Sequence, residues 1–154
     1  VSHKHLLIVY HSQSGRNADL SDLAAEAART SEEPVVVKRL KDDEAGCRDL
    51  EWADAVIFFF PENFGALAGG MKAFFDRIFY PVIDKQISCS YAIFISTGND
   101  GSQALTQVQR IFKGLPFREV NEPVIVRGEP NDEARTKASE LGLAMAAGLA
   151  MGIF

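Results

Sequence analysis

The chain has 154 residues, 47% of them apolar and 24% charged, with 12 glycines and 6 prolines, which excludes a disordered or fibrous protein and predicts one well-cored domain. Its 16 basic and 21 acidic residues give a net charge of −5, which argues against a nucleic-acid binder, because neutralising phosphates takes a basic stripe. Two distant cysteines, Cys47 and Cys89, neither build a disulfide scaffold nor hold a metal by themselves, so no metal is expected and a reducing cytoplasm is the expected location.

Short apolar runs alternate with helical patterns along the whole chain. The first run, Leu6 to Tyr10, reads as a strand and is followed by Leu20, Leu23, Ala24, Ala27 and Ala28, one apolar face of a helix. Val35–Val37 predicts the second strand, and a weaker segment around 43–50 the second helix. Ala55–Phe60 is the third strand, with a helix expected from Leu67 to Tyr80. Tyr91–Ile95 is the fourth, followed by Ala104, Leu105, Val108, Ile111 and Phe112 at helical spacing. Val124–Val126 closes the series, and the last helix is expected from Asn131 to Met151, opened by Pro130 and an Asn-Asp cap. Continuous rather than alternating apolarity means strands covered on both faces. The prediction is an α/β fold, a three-layer doubly wound sheet of five parallel strands with five helices, residues 1–154 forming a single domain.

No secretory leader is expected at the N-terminus, and no membrane span: Gly142 to Phe154 is uncharged for thirteen residues, short of the ~20 a bilayer requires. In the same helix Gly148 and Gly152, with Ala144 one turn earlier, are spaced for close backbone approach. The domain's own sheet is the expected neighbour, and a homodimer contact is the alternative.

Ligands of such sheets bind beyond the carboxyl ends of the strands, which singles out three loops. After the first strand, Ser12, Gln13, Ser14, Gly15, Arg16 and Asn17 gather hydroxyls, a glycine and a carboxamide at a helix N-terminus, a cradle for phosphate; the alternative is that Ser12 or Ser14 only caps the helix. After the third, Pro61, Glu62, Asn63, Phe64 and Gly65 place an aromatic at the rim, either beside a planar ligand or folded back as core. After the fourth, the loop Ser96 to Gly101, with Thr97, Gly98, Asn99 and Asp100 as its candidate contacts, offers backbone groups to a ring edge or forms a simple turn. Competing motifs fail: there is no GxGxxG, and the stretch Gly65 to Lys72 misplaces the lysine of a P-loop and lacks its hydroxyl. The acidic cluster and aspartate of a receiver domain are replaced by His11-Ser12 and Phe60-Pro61. No catalytic side chain is singled out, and His11 is expected to be structural.

The stretch Ser12-x-Ser14-Gly15-x-Asn17 resembles the FMN-phosphate loop of flavodoxin-like proteins. More specifically, Trp52 to Ile57, Pro61-x-x-Phe64-Gly65 and Met71 to Arg77 resemble the third βα unit of flavodoxin-like NAD(P)H-dependent oxidoreductases, including the quinone-reductase branch. The resemblance implies non-covalent FMN, with residues 12–17 at the phosphate, Pro61 to Gly65 on one side of the isoalloxazine and Thr97 to Asp100 on the other. It also implies NAD(P)H as electron donor and a small acceptor such as a quinone. Lys72, Asp76 and Arg77 match the family pattern but are read as structural, Lys72 covering the loop and Asp76 pairing with Arg77. Asn17 stands where a threonine is usual, and the fourth-unit loop has no aromatic, unlike electron-carrying flavodoxins, which shuttle electrons between redox partner proteins. The carrier remains the alternative function.

Overall fold

The computed structural model describes residues 3–154. Five longer strands, β1 (Lys4–Tyr10), β2 (Val35–Lys41), β3 (Ala55–Asn63), β5 (Ser90–Thr97) and β7 (Val124–Arg127), alternate with five helices. The helices are α1 (Arg16–Thr30), α2 (Cys47–Trp52), α3 (Gly69–Lys85), α4 (Ser102–Phe112) and α5 (Asp132–Ala150). Two dipeptide strands complete the sheet: β4 (Ala66–Leu67) and β6 (Arg118–Glu119). The order is β2-β1-β3-β5, with β6 and then β7 both pairing the far edge of β5. All these pairings are parallel, and only β4 runs antiparallel, folded back on β3.

The apolar runs form strands because each side of the sheet has its own core. Phe58 and Phe60 point to one side with Leu7, Val9, Phe74 and Phe75, whereas Phe59 points to the other with Leu6, Ile8, Leu20 and Met145. All three phenylalanines are fully buried, each contributing about 1.5–3 kcal/mol of transfer free energy. Helices α2, α3 and α4 cover the first side, α1 and α5 the second.

Several expected boundaries move. The second helix begins at Cys47, later than the segment from residue 43 suggested. Leu67 lies in β4, and α3 starts at Gly69 and continues past Tyr80 through Pro81 to Lys85. Proline removes one amide donor, but Val82, fully buried, ties the extra turn to the core. The last helix starts one residue later than expected, and Asn131 is its cap, Oδ1 accepting from Ala134 N at 2.9 Å.

The glycines of α5 act differently from the expectation. Gly142 is the point of closest approach to α1: a Cβ there would stand 2.8 Å from the carbonyl carbon of Ala24 and closer still to its oxygen. Gly148 is covered by the ring of Phe154, Gly152 forms a turn at φ +70°, and Ala144 is exposed. No helix of the described residues is long and apolar enough to cross a membrane.

Two groups on the β5 side make the fold alkali-sensitive. Burial, then the Asp54 carboxylate, pushes the Cys89 thiol from 9.0 to about 12. Burial, then the charge and hydrogen bond of Glu119, raises the Tyr91 phenol above its ordinary 10.0. Both groups keep their protons in the folded chain at pH values where the unfolded chain loses them. The stability they supply is therefore complete below about pH 9 and declines above it. Denaturant midpoints are expected to fall between pH 9 and 11, and Tyr91→Phe should flatten that decline.

Candidate functional site at the carboxyl edge

Helix α1 begins at an open end. Its N-cap is Gly15, at φ +95°, and no side chain caps it. The two serines bond within the loop: Gly15 N donates to Ser12 Oγ at 3.1 Å and Arg16 N to Ser14 Oγ at 3.4 Å. Ser14 thus holds the first helical amide, that of Arg16, so the capping alternative is met in part. The first amide to bond into the helix is Asp19 N, to Gly15 O at 3.0 Å, so the amides of Asn17 and Ala18 lack a helical partner. Gly15 is required by its left-handed backbone, since the space around a Cβ there is empty.

Strand β3 runs on past the sheet and turns back as a hairpin. Glu62 pairs with Leu67 and Asn63 with Ala66, leaving Phe64-Gly65 as a two-residue turn with φ +51° and +70°. Two positive values define the turn class that matches the twist of a hairpin, which prefers Asn-Gly. Phe64 therefore occupies a backbone conformation that costs a side chain about 1–2 kcal/mol, and its ring is wholly exposed at 107%. It is not folded back as core. Replacing it by asparagine is expected to stabilise the ligand-free protein by about 1 kcal/mol in urea denaturation.

A cleft of about 230 Å³ lies between this hairpin, the β1–α1 loop and the end of β5. It is lined by Ser12, Gln13, Ser14, Arg16 and Asn17, by Pro61, Glu62 and Asn63, and by Ser96, Thr97 and Gly98. Gly15, Phe64, Gly65, Asn99 and Asp100, also expected at the site, flank the cleft in sequence without lining it. Ser96 opens the loop expected after the fourth strand but is not one of its candidate contacts; its signal is a hydroxyl ending an otherwise apolar strand.

Among the described residues two buried side-chain polar atoms lack a hydrogen-bond partner, Arg16 Nε and Asn17 Oδ1. Both residues line this cleft. Asn17 is almost fully buried, and its Nδ2 donates to Ser96 Oγ at 2.8 Å. Turning the amide over lets Oδ1 accept from the Ser96 hydroxyl and frees Nδ2 to donate. A buried guanidinium donor, a carboxamide and free amides at a helix start make a donor set for an anionic ester such as a phosphate. Arg16 is also held from outside, its Nη2 lying 3.6 Å from Glu129 Oε2. Larger grooves, about 490 Å³ along β7 and α5 and about 570 Å³ beside α2, contain no such unpartnered atom.

The three loops are bonded to one another. Asn63 Nδ2 donates to Gln13 Oε1, and Thr97 Oγ1 donates to Glu62 Oε1 at 3.2 Å while accepting from Asn99 N at 3.0 Å. The Asp100 carboxyl is held below its ordinary value, first by the hydrogen bond from Ser102 and further by Arg127. Arg127 Nε also donates to Asp100 O at 3.0 Å.

The family-like residues on α3 bond differently from the expectation. Lys72 pairs with Asp76 at 2.7 Å on the exposed face of α3; among the described residues neither the expected bond from Lys72 to the loop nor an Asp76–Arg77 pair is formed. Arg77 Nη2 donates to the carbonyls of Asp42 at 2.7 Å and Ala45 at 2.8 Å, tying α3 to the loop before α2. His11 Nδ1 lies 2.7 Å from Asp42 Oδ2, packed against Gly70 and outside the cleft lining.

Comparison with known proteins agrees with this architecture. The family described as NADPH-dependent FMN reductase matches residues 6–131. A flavodoxin of Aquifex aeolicus is 28% identical over 86% of this chain and 80% of its own. An NAD(P)H dehydrogenase (quinone) of Deinococcus radiodurans is 31% identical over 47% of this chain and 48% of its own. Among solved structures, a flavodoxin from the domain Archaea superposes with a TM-score of 0.80 at 17% identity, covering 94% of this chain and 98% of that one.

Proposed function

The chain belongs to the NADPH-dependent FMN reductase family, and on that footing we propose that it holds one FMN non-covalently at the carboxyl edge and passes hydride from NAD(P)H to a small acceptor such as a quinone. The observation that supports this reading is that Arg16 and Asn17, whose buried Nε and Oδ1 lack partners, both line the cleft and open helix α1. A phosphate ester supplies what both lack.

The residues divide the work by chemistry. Ser12, Ser14, Arg16, Asn17 and the first amides of α1 bind the phosphate. Gln13 and Asn63, bonded to each other, close the phosphate end against the hairpin. Thr97 and Gly98 present polar groups to the ring edge, and Phe64, standing clear of its own chain, offers apolar surface to the ring. FMN, when bound, supplies the hydride chemistry at its N5 atom. No acid–base side chain is required of the protein, whose task is to bind, orient and tune. The hairpin and the loop after β5 leave the cleft open to solvent on one side, where donor and acceptor meet the ring in turn.

The likeness to the Aquifex aeolicus flavodoxin, over most of both chains, supports a second reading as an electron carrier between redox partner proteins. Against it, Thr97 to Gly101 contains no aromatic to cover a second ring face. Titrating FMN into the flavin-free protein tests the cofactor: saturable quenching of flavin fluorescence at one equivalent is expected, and no quenching contradicts it. Phe64→Asn should weaken that binding about tenfold, a stacked aromatic being worth roughly 1 kcal/mol or more, although it stabilises the empty protein.

A further inference from the structure

Helix α4 opens on two residues that cannot cap it. Its N-cap is Gly101, without a side chain, and its third residue is Ala104, with nothing to reach back. In a capping box these two positions satisfy each other's amides. Here one carboxylate from another loop serves both. Glu62 Oε1 accepts from Gly101 N at 3.1 Å, and Glu62 Oε2 accepts from Ala104 N at 3.1 Å. Thr97 Oγ1 adds a third bond to the same group at 3.2 Å. The first turn of α4 carries no acidic residue of its own; Glu62 bonds its amides, and the other carboxylate at this positive end is Asp100, which accepts from the Ser102 hydroxyl and pairs with Arg127.

Glu62 belongs to the cleft as well. It lines the cavity with Thr97 and stands two residues before Phe64 on the hairpin. Its bonds therefore join the hairpin to the loop after β5, the two walls on either side of the ring site.

We propose that Glu62 is the positioning residue that fixes the spacing of these two walls and sets the charge beside the ring, an inference that rests on the cleft being an FMN site. Two electrons and one proton, delivered as hydride while the nicotinamide leaves oxidised, give the bound flavin one further negative charge. A carboxylate held nearby opposes that gain, and the start of α4 favours it. Neutralising Glu62 removes the repulsion and unmasks the helix end, and both changes make reduction easier.

The test compares wild type, Glu62→Gln and Glu62→Asp, each loaded with FMN. The two-electron midpoint potential is read at equilibrium with a reference dye, and amide hydrogen exchange is read at Gly101 and Ala104. Glu62→Gln keeps the shape and loses the charge; the equilibrium for reduction should shift about tenfold, equivalent to about 30 mV upward. Glu62→Asp keeps the charge on a shorter arm; its potential should stay near wild type while the two amides exchange about tenfold faster, about 1.4 kcal/mol of lost protection. A role in packing alone does not separate the variants in this way. Equal potentials for wild type and Glu62→Gln, both carrying FMN, overturn the inference, as does unchanged exchange in Glu62→Asp. If Glu62→Gln does not fold, the exchange result for Glu62→Asp decides. A wild-type protein that takes up no FMN overturns the cofactor reading itself.

Discussion

Gly142→Ala is expected to destabilise the protein by about 2 kcal/mol and lower its Tm by roughly 4–8 °C in thermal denaturation. The added methyl would stand 2.8 Å from the carbonyl carbon and 2.9 Å from the Cα of Ala24, with the carbonyl oxygen closer still. These are backbone atoms, so the only relief is to part α1 from α5. Overpacking against such an obstacle costs about 3 kcal/mol, the upper end of its usual range, and the better helix propensity of alanine returns about 1 kcal/mol. Gly148→Ala is the control. Its obstacle is the far end of the Phe154 side chain and not backbone, so the ring can shift, and a loss below about 1 kcal/mol is expected. Because α1 carries Arg16 and Asn17 at its start, the Gly142 variant should also bind FMN less tightly than the Gly148 variant.

The second large effect concerns the phosphate. Arg16→Ala is expected to raise the Kd for FMN about 10- to 100-fold, the value of a buried charge-assisted hydrogen bond. Riboflavin has the same ring and ribityl chain without the phosphate, so its affinity should be nearly unchanged by the substitution. Isothermal titration with both ligands separates the two cases. Equal losses for FMN and riboflavin would mean that Arg16 supports the cleft as a whole and does not recognise the phosphate. Glu129→Gln offers a milder companion, since Glu129 touches Arg16 only from the exposed side, at 3.6 Å. It should tighten FMN slightly, because it removes a competing anion.

The strands were legible because burial on both faces leaves an uninterrupted apolar run, as in Leu6 to Tyr10 and Ala55 to Phe60. The β6 pair has no such signal for the opposite reason: Arg118 and Glu119 are exposed and join the sheet through short backbone pairing with β5. The hairpin has no clear signal either, since Phe64 is an unusual residue for a turn with two positive φ values and stands where Asn-Gly would mark it. Local composition was enough to pick out the three loops, because hydroxyls, glycines and amides must collect where helix starts meet strand ends. What composition does not encode is which groups meet across loops. Nothing near Gly101 or Ala104 in the sequence points to Glu62 as their acceptor, and nothing near Asn17 points to Ser96. Likewise Arg77 reads as a partner for its neighbour Asp76, yet the fold carries it to the carbonyls of Asp42 and Ala45. Gly142 carries no sequence signal because helix–helix distance depends on how α5 is set against α1, whereas Gly148 and Gly152 show a more regular spacing.

The most direct test of the account is anaerobic mixing of the FMN-loaded protein with NADPH, and separately with NADH, while the flavin absorbance near 450 nm (a general property of oxidised flavins, about that wavelength) is followed. Bleaching within seconds to minutes, with colour returning on addition of a quinone, is the result predicted. A protein that binds FMN but shows no bleaching by either nucleotide over that time contradicts hydride transfer and leaves electron carriage between proteins as its activity.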